Sequence, residues 1–276
     1  MATARDDLYK ANSGDNIYGG ITPKVAHVFM STGQSNCQGR GLIDDSPIAD
    51  GVLIGNVKTW RRNINGGTMY SGVGAWYGLE YDTNQYEGRG EFGSILKFAM
   101  NAQAELENEN NDLFFIKADG NGKPIEGWLD GGNEYNAMYN GHIIPALASL
   151  KEMDYDEIRI HSFVWNQGES DMLDVYKATA YKGRLETVIS DLRAELDLPN
   201  LLFIIKRVEA TPDRYVWASR VVTAQEEVAL EDDNTELVVG PWVYSDEVHL
   251  VGSSLNQLGN DLYTTTRENT RGLIYV

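Results

Sequence analysis

The sequence predicts a three-layer α/β/α sandwich around a five-stranded, mainly parallel sheet. Five apolar runs of strand length follow one another, with helical patterns between most of them. That alternation builds a parallel sheet covered by helices on both faces. The chain has 276 residues, 42% of them hydrophobic, enough for one full-sized core rather than two small ones. A third observation orients the fold. The first run passes through Gly33 directly to Ser35, setting a hydroxyl where a strand ends, and open α/β sheets bind ligands outside those carboxyl ends.

Residues 1–24 are polar and rich in Gly, Asn and Asp, and read as an N-terminal arm or linker ahead of a single domain at 25–276. The predicted strands are Val25–Thr32, Asp112–Ala118, Glu157–Trp165, Asn200–Val208 and Glu236–Val239. The predicted helices are Ser94–Glu107, Ala137–Met153, Val175–Leu196, Tyr215–Glu231 and Ser253–Thr266. In the third helix Leu185, Val188, Ile189, Leu192 and Leu196 recur at helical spacing. Residues 41–92 interrupt the alternation with a long insertion rich in Gly and aromatic residues, including Trp60, Tyr70, Trp76, Tyr77, Tyr81 and Tyr86. A connection of that length carries function or small elements of its own. Its rings suit either stacking on sugars or a hydrophobic mini-core.

A net charge of −18 argues against nucleic acid and anionic membrane surfaces as partners, since both need clustered Lys and Arg. It favours neutral substrates over polyanions. No apolar run approaches the ~20 residues of a membrane span. No basic start with an apolar core marks a leader. The polar arm fits an extracellular or virion-associated setting. Cys37 is the single cysteine and reads as a small apolar filler. His27, His142 and His161 lack metal-ligand spacing, and His27 and His161 fall within strands as core histidines. No Gly-rich phosphate loop follows a strand, so no nucleotide or other cofactor is expected.

Serine hydrolysis requires a nucleophile, a base, a group that orients the base, and donors for the oxyanion. Ser35 in Gly33-Gln34-Ser35-Asn36 fits the first role. Asp246-Glu247-Val248-His249 places a carboxylate and an imidazole three residues apart, side by side on one turn. The third segment is Trp165-Asn166-Gln167-Gly168-Glu169-Ser170-Asp171, at the end of the third strand. There Gln167 can present amide donors at the same sheet edge as Ser35, and Gly168 permits a sharp turn. Taken alone, it also reads as a strand-to-helix turn capped by Asp171.

These three segments, in this order, resemble the SGNH (GDSL-type) hydrolases, specifically the carbohydrate O-acetylesterase branch that includes sialate and acetylxylan esterases. The stretch Lys117–Trp128 is similar to that branch's Gly-rich segment ending in Trp. The resemblance implies a flavodoxin-like fold and a metal-independent serine esterase that acts on an acetylated carbohydrate without a cofactor. It implies Ser35 as nucleophile, His249 as base and Asp246 as its orienter. The oxyanion hole would comprise the Ser35 N–H, a glycine N–H and the Gln167 side chain. The branch usually carries Gly-Pro-Glu before the first long helix. This chain has Gly88-Arg89-Gly90-Glu91, so Gly90 is favoured as the glycine, with Gly88 the alternative. A methionine is common at the position of Cys37. Gln34, Asn36, Glu169 and Trp128 are the expected substrate contacts. Rival readings are a glycan-binding module with little turnover and a lipid or aryl esterase on the same scaffold.

Because the sequence shows no ligand spacing for zinc, hydrolysis of an acetyl ester should survive exhaustive chelation. A rate abolished by chelator and restored by zinc would replace the serine mechanism with a metal-assisted one.

Overall fold

A computed structural model describes residues 22–48, 52–62, 74–79, 91–209, 215–270 and 273–274. In chain order the elements begin with β1 (Val25–Gly33), the short helix α1 (Ser35–Gln38), β2 (Gly41–Leu42), β3 (Val57–Arg62) and β4 (Gly74–Gly78). Next come β5 (Glu91–Phe92), α2 (Ser94–Leu106) and β6 (Asn111–Asp119). A 3-10 turn (Ile125–Trp128) and a π-helical stretch (Asn136–Ile143) lead into α3 (Ile144–Lys151). The chain continues through β7 (Glu157–Asn166), α4 (Val175–Glu195), β8 (Phe203–Lys206), α5 (Ala218–Glu231), β9 (Thr235–Val238), α6 (Gly252–Asn269) and β10 (Leu273–Ile274).

The five predicted strands form the parallel centre of the sheet in the order β6-β1-β7-β8-β9. The expected count of five is too small. Among the described residues the sheet has eight strands, because β3 adds in parallel to β6, β4 adds antiparallel to β3, and β10 pairs antiparallel with β7. Within the insertion, β3 and β4 therefore extend the main sheet, while β2 and β5 pair antiparallel as a separate two-stranded sheet. Its pattern is hard to read because β4 alternates between half-buried and exposed residues and contains two glycines. The insertion's described tryptophans pack inward. Trp60 lies edge-on to Trp76 with ring centroids 5.1 Å apart, and Trp76 meets Phe114 at 4.8 Å. For these two rings this is the mini-core alternative, whereas Tyr77 is exposed. Tyr70, Tyr81 and Tyr86 lie outside the described residues.

Side chains alternate across the strands, so the sheet feeds two cores. Val28, Met30, Phe114, Ile116, Phe163, Trp165, Phe203 and Ile205 join the core beneath α3, α4 and α5. Phe29, Phe115, Val164 and Ile204 join the core beneath α2 and α6. Those two helices touch closely at Gly259, where an added Cβ would lie 2.4 Å from the Ser94 carbonyl oxygen.

The second core holds a buried histidine pair. His27 Nδ1 and His161 Nε2 are 2.8 Å apart, and the His161 ring stacks on Phe29 at 4.9 Å. One ring donates and the other accepts, so the pair is neutral. Burial, aided by the Arg159 charge, pushes His27 down to about 4. Burial, the His27 ring and Arg159 push His161 well below the usual histidine value. The unfolded chain titrates both near ~6.5. Below that pH it takes up protons that the folded chain refuses. Stability from the pair is thus complete above ~6.5 and lost as pH falls toward about 4. For His27 alone this is on the order of 3 kcal/mol. Asp171, which burial raises to about 6, acts with the opposite sign in the same window. The histidine share is therefore read as a difference between proteins. The urea midpoint should fall more steeply with acid in wild type than in His161→Phe, and equal slopes would disprove the linkage.

Candidate active site

β1 lies at the centre of the sheet. From it the chain builds first toward β6 and β3, then toward β7, β8 and β9. The crevice opens where that direction reverses, as expected for such sheets. Gly33 closes β1 with φ +154, and a Cβ there would sit 2.0 Å from the Asn166 carbonyl oxygen of β7. Only glycine permits this approach, across which the Gln34 N–H donates to that same oxygen at 2.9 Å. The chain then turns into α1 with Ser35 as its first residue. Lys117 steadies the far end of α1 by donating from Nζ to the Gln38 carbonyl at 2.7 Å. The same ammonium lies 3.4 Å from the buried Asp119 carboxylate. Burial pushes Asp119 up and Lys117 opposes this.

The other half of the site follows β9. Tyr244 and Leu250 form an isolated bridge, and between them the Ser245 N–H donates to the His249 carbonyl at 2.8 Å. Asp246 Oδ1 accepts the Val248 and His249 N–H groups, both at 2.7 Å. Its Oδ2 lies 2.7 Å from His249 Nδ1. His249 Nε2 is 3.0 Å from Ser35 Oγ. Partial burial would push Asp246 up, but hydrogen bonds from the His249 ring and from the His249 and Val248 backbone outweigh it and hold the carboxyl at about 2. It therefore stays an acceptor throughout the neutral range and fixes the His249 tautomer with a proton on Nδ1 and a lone pair facing Ser35. This line of hydroxyl, imidazole and carboxylate can move a proton from Ser35 to His249.

Asn36 joins the two halves. Its Nδ2 donates to Val248 O and to Glu169 Oε1, each at 2.9 Å, and its Oδ1 accepts the Leu250 N–H at 3.0 Å. It therefore grips the residues on either side of His249. Every polar atom of this side chain is engaged and it is buried, so Asn36 is a clamp and not the expected substrate contact. Trp128 departs from expectation in the same way. It is 1% exposed, packs on Trp165 and donates its indole N–H to Thr32 Oγ1 at 3.0 Å.

Gln167 also differs from its expected place in the oxyanion hole. Its Nε2 donates to the Lys123 carbonyl at 3.1 Å and to Asp171 Oδ2 at 2.6 Å. Tyr181 donates to Gln167 Oε1, and the Gln225 amide to the Gln167 carbonyl. With both amide hydrogens spent and no exposure, Gln167 anchors the turn behind the wall and offers no donor to the crevice. Asp171, read alone as a helix cap, accepts the Ile125 N–H instead. Asp174 caps α4 through the Tyr176 and Lys177 N–H groups. Gly90 and Gly88 lie outside the described residues. The Ser35 N–H, in the first turn of α1, has no intrahelical acceptor.

The crevice is an open space of about 710 Å³ lined by Gln34, Ser35, Asn121, Gly122, Glu169, Ser170, Leu173, Tyr215 and residues 246–249. Gln34 and Glu169, expected as substrate contacts, line this crevice. Gln34 Oε1 accepts the Gly168 N–H at 3.1 Å, and its amide donates to Ser170 Oγ. Asn121 and Gly122 belong to the Gly-rich stretch already singled out in the sequence. Glu247 arrives with the Asp246–His249 segment, whereas Leu173 and Tyr215 carry no local signal, because the fold alone brings them to this edge. Among the described residues, no three His, Cys, Asp or Glu side chains converge as a metal site, and no helix is long and apolar enough to cross a membrane.

Known proteins share this architecture. The solved Arabidopsis thaliana structure superposes with a TM-score of 0.68 at 23% identity, covering 90% of this chain and 99% of that one. The crystal structure of NanS gives 0.65 at 12%, covering 89% and 98%. XAC1771, a carbohydrate acetylesterase from Xanthomonas citri, gives 0.60 at 17%, covering 89% and 57%. In sequence, a probable carbohydrate esterase of Arabidopsis thaliana is 25% identical over 244 residues, 85% of this chain and 88% of that protein. The protein is a carboxylic ester hydrolase of the α/β class. More particularly, residues 25–268 match the family model for carbohydrate esterases described as sialic acid-specific acetylesterases, and the chain belongs to that family.

The geometry of Asp246 and His249 predicts coupled losses. His249→Ala should remove nearly all turnover of an acetyl ester, and Asp246→Asn should cost roughly 10⁴-fold. The double variant should be no worse than His249→Ala, because one residue acts through the other. Losses that multiply would show two independent groups.

Proposed function

We propose that this chain removes O-acetyl groups from a neutral carbohydrate by a Ser-His-Asp acyl-enzyme mechanism. The observation that carries the reading is the continuous line from Ser35 Oγ through His249 to Asp246, with contacts of 3.0 and 2.7 Å. Ser35 Oγ attacks the acetyl carbonyl carbon while its proton passes to His249 Nε2. The oxyanion is received by the Ser35 N–H and a second backbone donor, for which Gly90 or Gly88 is the candidate. The intermediate then collapses, the carbon–sugar oxygen bond breaks, and His249 returns the proton to the leaving sugar hydroxyl. Water then attacks the acetyl-serine carbonyl as His249 takes its proton, the bond from that carbon to Ser35 Oγ breaks, the proton returns from His249 to Oγ, and the acetyl group leaves as the acid. Asp246 stays ionised throughout and stabilises the imidazolium.

Electrostatics favours a neutral sugar. Glu169, Asp246 and Glu247 line the crevice, and none of its described lining residues is Lys or Arg. An anionic sugar is normally gripped by a guanidinium or ammonium, and here it would meet carboxylates instead. Most of the lining residues are polar, with Leu173, Tyr215 and Val248 supplying apolar surface between them.

Two measurements test the reading. Ser35→Ala should abolish acetate release while keeping the folded spectrum, and a serine-directed phosphonate should label wild type alone. Across a matched panel, acetylated neutral glycans should be cleaved faster than O-acetylated sialosides, and acetyl esters faster than octanoyl esters. Labelling at another serine would overturn the mechanism, and preference for the sialoside would overturn the substrate class.

A further inference from the structure

A sugar is held through its hydroxyl groups, each of which both donates and accepts hydrogen bonds. Most polar side chains around the crevice are already committed. Gln34 binds Ser170 and the Gly168 N–H, Glu169 accepts the Asn36 amide, and Ser35, His249 and Asp246 bond to one another. Three side chains expected to meet the substrate or its oxyanion, Asn36, Gln167 and Trp128, are buried and spent inside the wall. Asn121 is different. It lines the same crevice as Ser35, it is exposed, and among the described residues its amide has no hydrogen-bond partner.

The turn that carries Asn121 is fixed at both ends. At its start the Gly120 N–H donates to the Gly33 carbonyl at 2.8 Å, two residues before Ser35. At its far end the Lys123 carbonyl accepts the Gln167 amide at 3.1 Å, and the Ile125 N–H lies 3.0 and 3.2 Å from the two Asp171 oxygens. Between these anchors stand only Asn121 and Gly122. Gly122 has φ +64, although a Cβ there would meet nothing within 4 Å. Backbone conformation and not space therefore asks for glycine, and the turn offers the crevice one side chain. We propose that Asn121 is a specificity-determining residue that binds hydroxyl groups of the carbohydrate beside its acetyl ester. The carboxamide has donors on Nδ2 and an acceptor on Oδ1, which matches a neighbouring pair of sugar hydroxyls. Because the turn is held before substrate arrives, little order is lost on binding. The amide is uncharged and so gives no grip to an anionic sugar. The inference rests on the proposed esterase reaction.

The test compares wild type and Asn121→Ala on two esters, with Ser35→Ala as control. One is the neutral acetylated glycoside that wild type cleaves fastest, and the other is phenyl acetate, which has no sugar hydroxyl to bind. Asn121→Ala should lower kcat/KM for the glycoside roughly 10-fold, chiefly through KM, as expected when one hydrogen-bonding group is lost. The ratio of glycoside to phenyl acetate kcat/KM should fall by a similar factor. Monodeoxy analogues of the glycoside make the assignment specific. Wild type should cleave at least one of them more slowly than the parent, and Asn121→Ala should not distinguish that analogue from the parent. An unchanged ratio in Asn121→Ala, or a deoxy penalty that persists in full in the variant, overturns the inference. So does a wild type that cleaves phenyl acetate but no acetylated glycoside. Absence of Ser35-dependent turnover of either ester overturns the esterase reading, and with it this role for Asn121.

Discussion

The contact between Gly33 and the Asn166 carbonyl governs the rest of the site. At that point β1 and β7 run so close that any side chain on residue 33 would occupy the carbonyl's own space. The close approach sets the Gln34 N–H on Asn166 O and starts α1 at a fixed angle. Ser35 then emerges at the sheet edge with its N–H unspent by the helix. Gln34 extends the same joint outward by accepting the Gly168 N–H, so the turns that follow β1 and β7 are stitched together. Ser35 is thus placed by two adjacent strands and not by a loop.

Around that joint the buried polar groups fall into two kinds. Gln167, Tyr181, Gln225 and Asp171 form a closed hydrogen-bonded net that holds the Gly168–Ser170 turn. Such nets rigidify when every member is satisfied. Glu169 and Lys206 are different, since each keeps an atom without a hydrogen bond. Interiors avoid such atoms.

The centre of the fold was legible because its signals are local. Five long apolar runs and five helical patterns mark the parallel core, and each has its structural counterpart. β3, β4 and β10 were not, for physical reasons. β4 is half exposed, Gly-bounded and antiparallel, and β10 is two residues long. The motifs likewise identified the Ser35, Asp246 and His249 line. They could not say which way Gln167, Asn36 and Trp128 face. A one-residue difference in orientation turns a crevice donor into a buried strut, and only the partners brought by distant segments decide between them. Lys206 is the extreme case. A lysine at the end of an apolar strand reads as a solvated end, yet it lies fully buried where β8 pairs with β9.

The reach of the Asn36 side chain carries one more consequence. It binds Glu169, 133 residues away, and Val248, 212 residues away. The contact between Ser35 and His249 itself spans 214 residues. During synthesis it cannot form until residue 249 has left the ribosome. A folding intermediate in which the segment after β9 is still undocked lacks it, however complete its parallel sheet.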